Sequence, residues 1–365
     1  MQEDVSANVE EIVSKQFSIE QRIIFTHKYI VFFIKRIEEN HILRQKFMSI
    51  YQQLIKYNLL PTLQNYEENP DILILRIVKI PHKEEKSRLN YVLLLVTIAT
   101  ILSAGYRFVF NDIFLAFFPE VNPIMTVIWY TIALFGIVAI HETGHIIATR
   151  RYKIKASLPY FIPDPFAVIP ALPTIGGTFG AIISQKTPAP NRDALFDLGF
   201  SGPVIGFIAA VIVTIIGLKM SVVVPTTTPG EILPSPLIFD ILVRVIINPP
   251  ENMDVLVHPL AFAGWVGFLI TGLNLIPAGQ LDGGHIMRAI FGSEKHRVIT
   301  YISIIVLIVL MYIPMAILVL LLSYGREHPG PLEDITSISL KRKIGGIVSI
   351  IMIILSLPPL IVYMF

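Results

Sequence analysis

Apolar positions along the chain fall into long runs separated by short polar stretches. Runs of the length needed to cross about 30 Å of hydrocarbon, about 20 helical residues, occur at about 90–107, 122–149, 195–218, 260–277, 298–323 and 344–364. The first 88 residues are patterned on a shorter scale. Residues 22–34, rich in Ile, Val, Phe and Tyr, fit a strand or a buried helix. Residues 39–58 place Ile42, Phe47, Ile50, Tyr51, Leu54 and Ile55 at helical intervals, with Pro61 as the stop, and 72–78 fit a strand. The pattern therefore predicts a small α+β soluble domain over 1–88, large enough for one modest core. A polytopic α-helical membrane body of about six transmembrane helices follows over 89–365.

Two linkers interrupt the body. Residues 159–190 hold seven prolines yet stay apolar. That proline density excludes a helix, so a membrane-embedded β-hairpin or loop is expected, with protein or water satisfying its backbone. Residues 219–259 are too few for a peptide-binding domain of ordinary size.

Composition sharpens this division. Charged residues make up 15% of the chain against roughly 25% in soluble domains, and 53% of residues are hydrophobic. Of the first 88 residues 25 are charged, but only 31 of the remaining 277, which excludes a water-soluble globular enzyme. A net charge of +2 gives no nucleic-acid footprint, and the absence of cysteine excludes a zinc ribbon, a thiol nucleophile and a disulfide scaffold. The acidic start, with no apolar run behind it, predicts no secretory signal peptide, so the first span would serve as the targeting element.

Basic clusters flank the runs unevenly: Lys83, Lys86 and Arg88; Arg150, Arg151, Lys153 and Lys155; Lys186 and Arg192; Arg288, Lys295 and Arg297. The positive-inside rule places all four, and the N-terminal domain, in the cytoplasm. Lys341, Arg342 and Lys343 would fall on the opposite side if the fifth run crosses once; the alternative is that this run, which contains Pro314, does not cross simply.

The chemistry concentrates at span ends. His141-Glu142-Thr143-Gly144-His145 closes the second run. Imidazoles at i and i+4 share one helix face and can grip one ion, and the Glu between them is placed to take a proton from water. A carboxyl inside hydrocarbon costs about 2.5 kcal/mol or more, which favours a functional reading over helix packing. A catalytic zinc takes three protein ligands and keeps one open position. Asp282, at the end of the fourth run, is a third-ligand candidate at a similar depth to His141. Its competing reading is a turn residue before Gly-Gly. Asn274 in the fourth run fits either interhelical hydrogen bonding or donation to a developing oxyanion. His285 fits a role supporting the ligands or the packing. His258, His296 and His328 read as span-flanking polar residues, and His27, His41 and His82 belong to the soluble part.

His141-Glu142-x-x-His145 followed in a later span by Asn274-x-x-Pro277-x-x-x-Leu281-Asp282-Gly283-Gly284 resembles the site-2 protease family of intramembrane zinc metalloproteases. Residues 176–180 (Gly-Gly-Thr-Phe-Gly) and 196–203 (Phe-Asp-Leu-Gly-Phe-Ser-Gly-Pro) also resemble segments of that family. The resemblance implies one zinc ion per chain on His141, His145 and Asp282, with Glu142 as general base and Asn274 assisting the tetrahedral intermediate. It implies a multi-pass membrane enzyme with its site toward the cytoplasmic face, working within the lipid bilayer on a transmembrane-helix protein substrate such as a membrane-tethered regulator or a signal-peptide remnant. The layout is similar to archaeal and plastid members without PDZ or CBS domains. Two other classes use similar residues: membrane metalloproteases of the prenyl-protein or heat-shock type, which take a Glu as third ligand, and non-hydrolytic metal transporters or sensors. The 159–183 segment is expected to offer a strand edge to an unwound substrate.

Overall fold

The computed structural model describes residues 3–25, 29–80, 87–169, 172, 174, 176–228, 234–323 and 328–358. His27, His82, Lys83, Lys86 and the end of the sixth apolar run lie outside them.

The N-terminal part consists of α1 (Glu3–Ser14), β1 (Ile19–Phe25), β2 (Tyr29–Lys35), α2 (Asn40–Leu54), β3 (Leu59–Asn65) and β4 (Ile72–Lys79). The strands form one antiparallel sheet in the order β1-β2-β4-β3. Residues 22–34 are therefore parts of two paired strands, not one element. β2 is central, and both of its faces are largely covered, so its sequence is an unbroken apolar run with no alternation to mark it. α2 lays Leu43, Phe47, Ile50, Tyr51 and Leu54 into a core shared with Phe32, Ile34, Leu73, Leu75 and Ile77, and α1 adds Val9 and Val13. Pro61 does not stop this helix. A single 3-10 turn ends at Asn58 in the left-handed conformation (φ 56°), and Pro61 lies in β3, an edge strand where a missing N–H is tolerated.

The body runs through α3 (Ser87–Val109), α4 (Asp112–Phe117), α5 (Pro123–Arg151), β5 (Tyr160–Pro163), β6 (Thr178–Ile182), α6 (Arg192–Leu218), β7 (Val222–Pro225), α7 (Leu237–Ile246), β8 (Met253–Leu256), α8 (Pro259–Asn274), α9 (Asp282–Val309), α10 (Ile313–Ser323) and α11 (Leu340–Ser356). Among the described residues α3, α5 and α6 are long and apolar enough to cross a membrane, and α8 is a shorter apolar helix. Asn122 and Asn191 cap α5 and α6 by accepting the N–H groups of Met125 and Ala194. α6 is central and packs against α5, α8 and α9. Leu95, Ile132 and Ile212 keep large apolar side chains exposed, as a lipid-facing surface requires.

The fifth apolar run is not one helix. α9 bends at Gly292 (φ 83°, ψ −177°) and ends at Val309, Met311 takes a left-handed conformation (φ 65°), and α10 packs back on α9. Pro314 sits in the first turn of α10, where its missing N–H costs nothing. Gly279 touches both arms: its N–H donates to Thr300 Oγ1 of α9, and a β-carbon there would fall 2.7 Å from Ser323 Oγ of α10. This turn returns the chain and places Arg342 of α11 beside the start of α6, on Asp193 and Asp197. Arg44 of α2 joins the same cluster through Asp193 at 2.7 Å. The basic residues 341–343 thus lie at the same end of the bundle as Arg192 and the N-terminal sheet.

The proline-rich segment forms the antiparallel pair β5–β6, with Tyr160 opposite Ile182 and Phe161 opposite Ala181. Protein groups satisfy its backbone: Thr100 Oγ1 of α3 donates to Gly177 O at 2.7 Å, and Tyr130 OH of α5 to Gly176 O at 2.9 Å. The 219–259 linker holds α7 and the antiparallel pair β7–β8.

Candidate metal centre

His141 and His145 stand one turn apart on α5, both buried, with ring centroids 4.9 Å apart. Asp282 opens α9 and is brought to them by the turn 275–281 that follows α8. That turn is packed so tightly that a β-carbon at Gly283 would lie 1.9 Å from Leu275 O, and one at Gly284 2.3 Å from Gly279 O. Only glycine fits after Asp282. His141 Nε2 is 3.2 Å and His145 Nε2 3.3 Å from Asp282 Oδ2, and the two imidazole nitrogens are 3.1 Å apart. Among the described residues these three form the one group able to hold a metal ion.

α6 provides the backing. His145 Nδ1 lies 2.8 Å from Leu198 O, which can only accept, so Nδ1 carries a proton and Nε2 is the atom that would meet an ion. Gly199, Gly202 and Gly206 face the three converging residues. A β-carbon at Gly199 would lie 2.5 Å from Asp282 O, at Gly202 2.2 Å from His145 Nε2, and at Gly206 2.9 Å from His141 Nδ1. Only Gly199 and Gly202 fall in the 196–203 segment singled out from the sequence; their spacing, with Gly206 one helical turn on, was the available signal.

Glu142 is buried beside these side chains, and Asn274 Nδ2 stands 3.5 Å from His141 Nε2. Both line a cavity of about 110 Å³ that also reaches His285 and, on its other wall, Ala181, Ile182 and Ile183 at the end of β6. It has room for several waters. The structure thus brings together His141, Glu142, His145, Asn274 and Asp282.

Two of the histidines expected to flank spans, His296 and His328, hold structure within the bundle instead. His296 is buried and bonds Gly279 O at 3.1 Å, holding the turn that carries Asp282. His328 Nε2 lies 2.7 Å from His285 Nδ1. His258 is buried and caps α8 by accepting the Leu260 N–H. His41 is on the exposed surface of the N-terminal part, 3.5 Å from Glu39.

Residues 129–321, more than half of the chain and containing every one of the converging side chains, match the peptidase family M50. The chain belongs to this family, the site-2 protease family. It is 31% identical over 242 residues to "Probable zinc metalloprotease EGY1, chloroplastic" of Oryza sativa subsp. japonica, covering 62% of this chain and 40% of that relative. The Arabidopsis thaliana protein of the same name is 30% identical over 240 residues (62% and 42%), and Arabidopsis "Probable zinc metalloprotease EGY2, chloroplastic" 32% over 177 residues (47% and 30%). The chain thus spans less than half the length of these curated relatives. No solved structure matches it.

Proposed function

We propose that this M50 chain is an intramembrane zinc metalloprotease that hydrolyses peptide bonds in or near transmembrane segments. The observation that carries the reading is the convergence of two imidazoles and a carboxylate within 3.3 Å of one another, beside a second buried carboxylate in a common cavity. Donor separations of 3.1–3.3 Å suit a tetrahedral ion with ligand bonds of about 2.0–2.1 Å. His141, His145 and Asp282 would hold the ion. Three protein ligands leave one position open, as a hydrolytic site needs. When bound, zinc supplies Lewis acidity, polarising a carbonyl and making water acidic enough to attack near neutral pH.

The chain's own groups do the rest. Glu142 takes the proton as the water oxygen bonds to the scissile carbon, and delivers it to the nitrogen as the C–N bond breaks. The Asn274 amide donates to the oxyanion. Leu198 O keeps His145 in its ligating tautomer. The free edge of β6 is the proposed seat of the substrate: β5 occupies one side of β6, while Ala181, Ile182 and Ile183 line the cavity. A transmembrane helix must unwind before its carbonyls can be reached, and strand addition replaces the hydrogen bonds it loses. The substrate class is a membrane protein such as a tethered regulator or a signal-peptide remnant. Residues 1–88 form a cytoplasmic domain and 89–365 the membrane protease domain, with the site toward the cytoplasmic face. Asp282, rather than a Glu, in the ligand group favours this reading over a prenyl-protein type protease, and Glu142 with Asn274 beside the ligands favours it over a transporter.

The test is purification in detergent, metal analysis, and cleavage of a model transmembrane substrate. Glu142→Gln should keep zinc and lose activity by about 10²-fold or more; activity surviving in that variant would sink the mechanism. Asp282→Asn should lose zinc.

A further inference from the structure

Residues 328–339, the strap between α10 and α11, touch both the N-terminal sheet and the wall of the cavity. On the sheet side, Leu332 is buried in the core of the N-terminal domain, and Leu63 N of the edge strand β3 donates to Leu332 O at 2.9 Å. Leu332 N and Glu333 N donate in turn to Ala189 O and Pro190 O just before α6. The fully buried Glu333 carboxylate accepts from Ile335 N, Thr336 N and Thr336 Oγ1, which stiffens the strap at this point. On the other side, Asp334 pairs with the buried Arg288 of α9 at 2.6 Å and with Arg192 of α6 at 2.7 Å. His328 meets His285 at 2.7 Å, and His285 lines the cavity one turn along α9 from Asp282.

We propose that His328 is a positioning residue for the cavity, holding the His285 ring in its wall, and that the strap makes this hold depend on the seating of the N-terminal domain. Among the described residues His285 Nδ1 is engaged by His328, and the opposite edge of the ring is the part left for the cavity. A chain lying between β6 and the ligands would pass this ring. Losing His328 frees the ring to rotate, which weakens binding of the substrate more than it slows bond cleavage. Lifting Leu332 from the N-terminal core pulls on Asp334 and His328 together and so loosens the first two turns of α9. This assignment rests on the protease reading for its consequence on substrate, but not for the mechanical link.

The experiment uses the full chain in detergent with His328→Ala, His328→Gln and Leu332→Ala, and Asp334→Asn as the milder variant should Leu332→Ala fail to fold. Hydrogen exchange across residues 282–292 should quicken by roughly tenfold in His328→Ala, Leu332→Ala and Asp334→Asn, and return toward wild type in His328→Gln, whose amide can still bond His285. With a model substrate, His328→Ala should raise KM on the order of tenfold with kcat little changed. In the cobalt-loaded protein its visible absorption should keep the wild-type band pattern, since the ligands stay in place. Exchange at 282–292 unchanged in Leu332→Ala, or in Asp334→Asn where that variant replaces it, would overturn the link. A fall in kcat with unchanged KM would overturn the positioning role. A wild-type protein that neither binds cobalt nor cleaves substrate would sink the protease reading, while the exchange result would still decide on the strap.

Discussion

Gly202 of α6 lies so close to His145 of α5 that a β-carbon at position 202 would sit 2.2 Å from Nε2, the nitrogen turned toward Asp282. The same helix meets His141 at Gly206 and the start of α9 at Gly199. One face of α6, stripped of side chains, therefore sets the distance between the two imidazoles and the carboxylate. Small residues let transmembrane helices approach closely; here the close approach positions the imidazoles and the carboxylate as well as backbones.

Gly202→Ala should therefore displace the His145 ring and lower metal affinity by about 10- to 100-fold, the range seen when ligand orientation is disturbed. The control is Gly136→Ala on α5, where an added β-carbon meets nothing within 4 Å. That change should leave metal binding alone and stabilise the helix by up to about 1 kcal/mol. Metal titration of both variants by competition with a coloured chelator checks the pair; equal affinities would contradict the packing argument.

Removing the ion should lower stability as well as activity. An ion that binds only the folded chain stabilises it by about 4 kcal/mol at a free concentration a thousandfold above its Kd. Strong chelation should lower the unfolding midpoint of the wild-type chain, and readdition of zinc should restore it. Asp282→Asn, lacking one of the three donors, should start lower and respond little to either treatment. Thermal unfolding in detergent with and without chelator measures both effects.

What could be read along the chain depended on range. His141, Glu142 and His145 lie within one helical turn, so their spacing alone puts them on one face. Asp282 stood out because the apolar body holds few carboxylates. The pairing of His285 with His328 joins residues 43 apart through a turn that no local pattern specifies. The reversal between α9 and α10 hinges on a left-handed Met311, a conformation usually advertised by Gly or Asn. Without that reversal Lys341, Arg342 and Lys343 fall on the wrong side. In the N-terminal domain, 26–28 (Thr-His-Lys) carry no Gly, Pro, Asn or Asp, so two strands read as one element. Pro61 misled for the opposite reason, being a strong breaker tolerated on a sheet edge.

Tyr51 links the N-terminal core to the end of α5: it is fully buried and its hydroxyl donates to Lys153 O at 3.2 Å. Burial pushes its phenol up from the usual value near 10 to about 12. The folded state thus disfavours tyrosinate, and the unfolded chain releases this proton first as the pH rises. The resulting stability is complete below about pH 10 and is lost between about 10 and 12, by up to about 3 kcal/mol. Tyr51→Phe should lose about 1 kcal/mol at neutral pH with the hydrogen bond, yet decline less steeply above pH 10. Unfolding midpoints of both proteins across that window test the slope.

The ion pairs around α6 bring Arg44 and Arg342 to one end of the bundle, which predicts a shared membrane face, and the absence of cysteine makes this measurable without background. Asp193 holds Arg44 of the N-terminal domain at 2.7 Å and Arg342 of α11 at 2.9 Å, so both belong at the end of the bundle where α6 begins. The β7–β8 pair follows the far end of α6, one helix length of about 40 Å away over its 27 residues. A cysteine at Lys15 or Lys341, both exposed, should therefore react with a membrane-impermeant maleimide added to one face of sealed vesicles. A cysteine at Glu251, exposed beside β8, should react only from the other. If Lys341→Cys labelled together with Glu251→Cys, the fifth run would have to cross as a single span. The α9–α10 turn would then be incompatible with the membrane-inserted protein, and the cluster of Arg342 with Asp193 and Asp197 could not form.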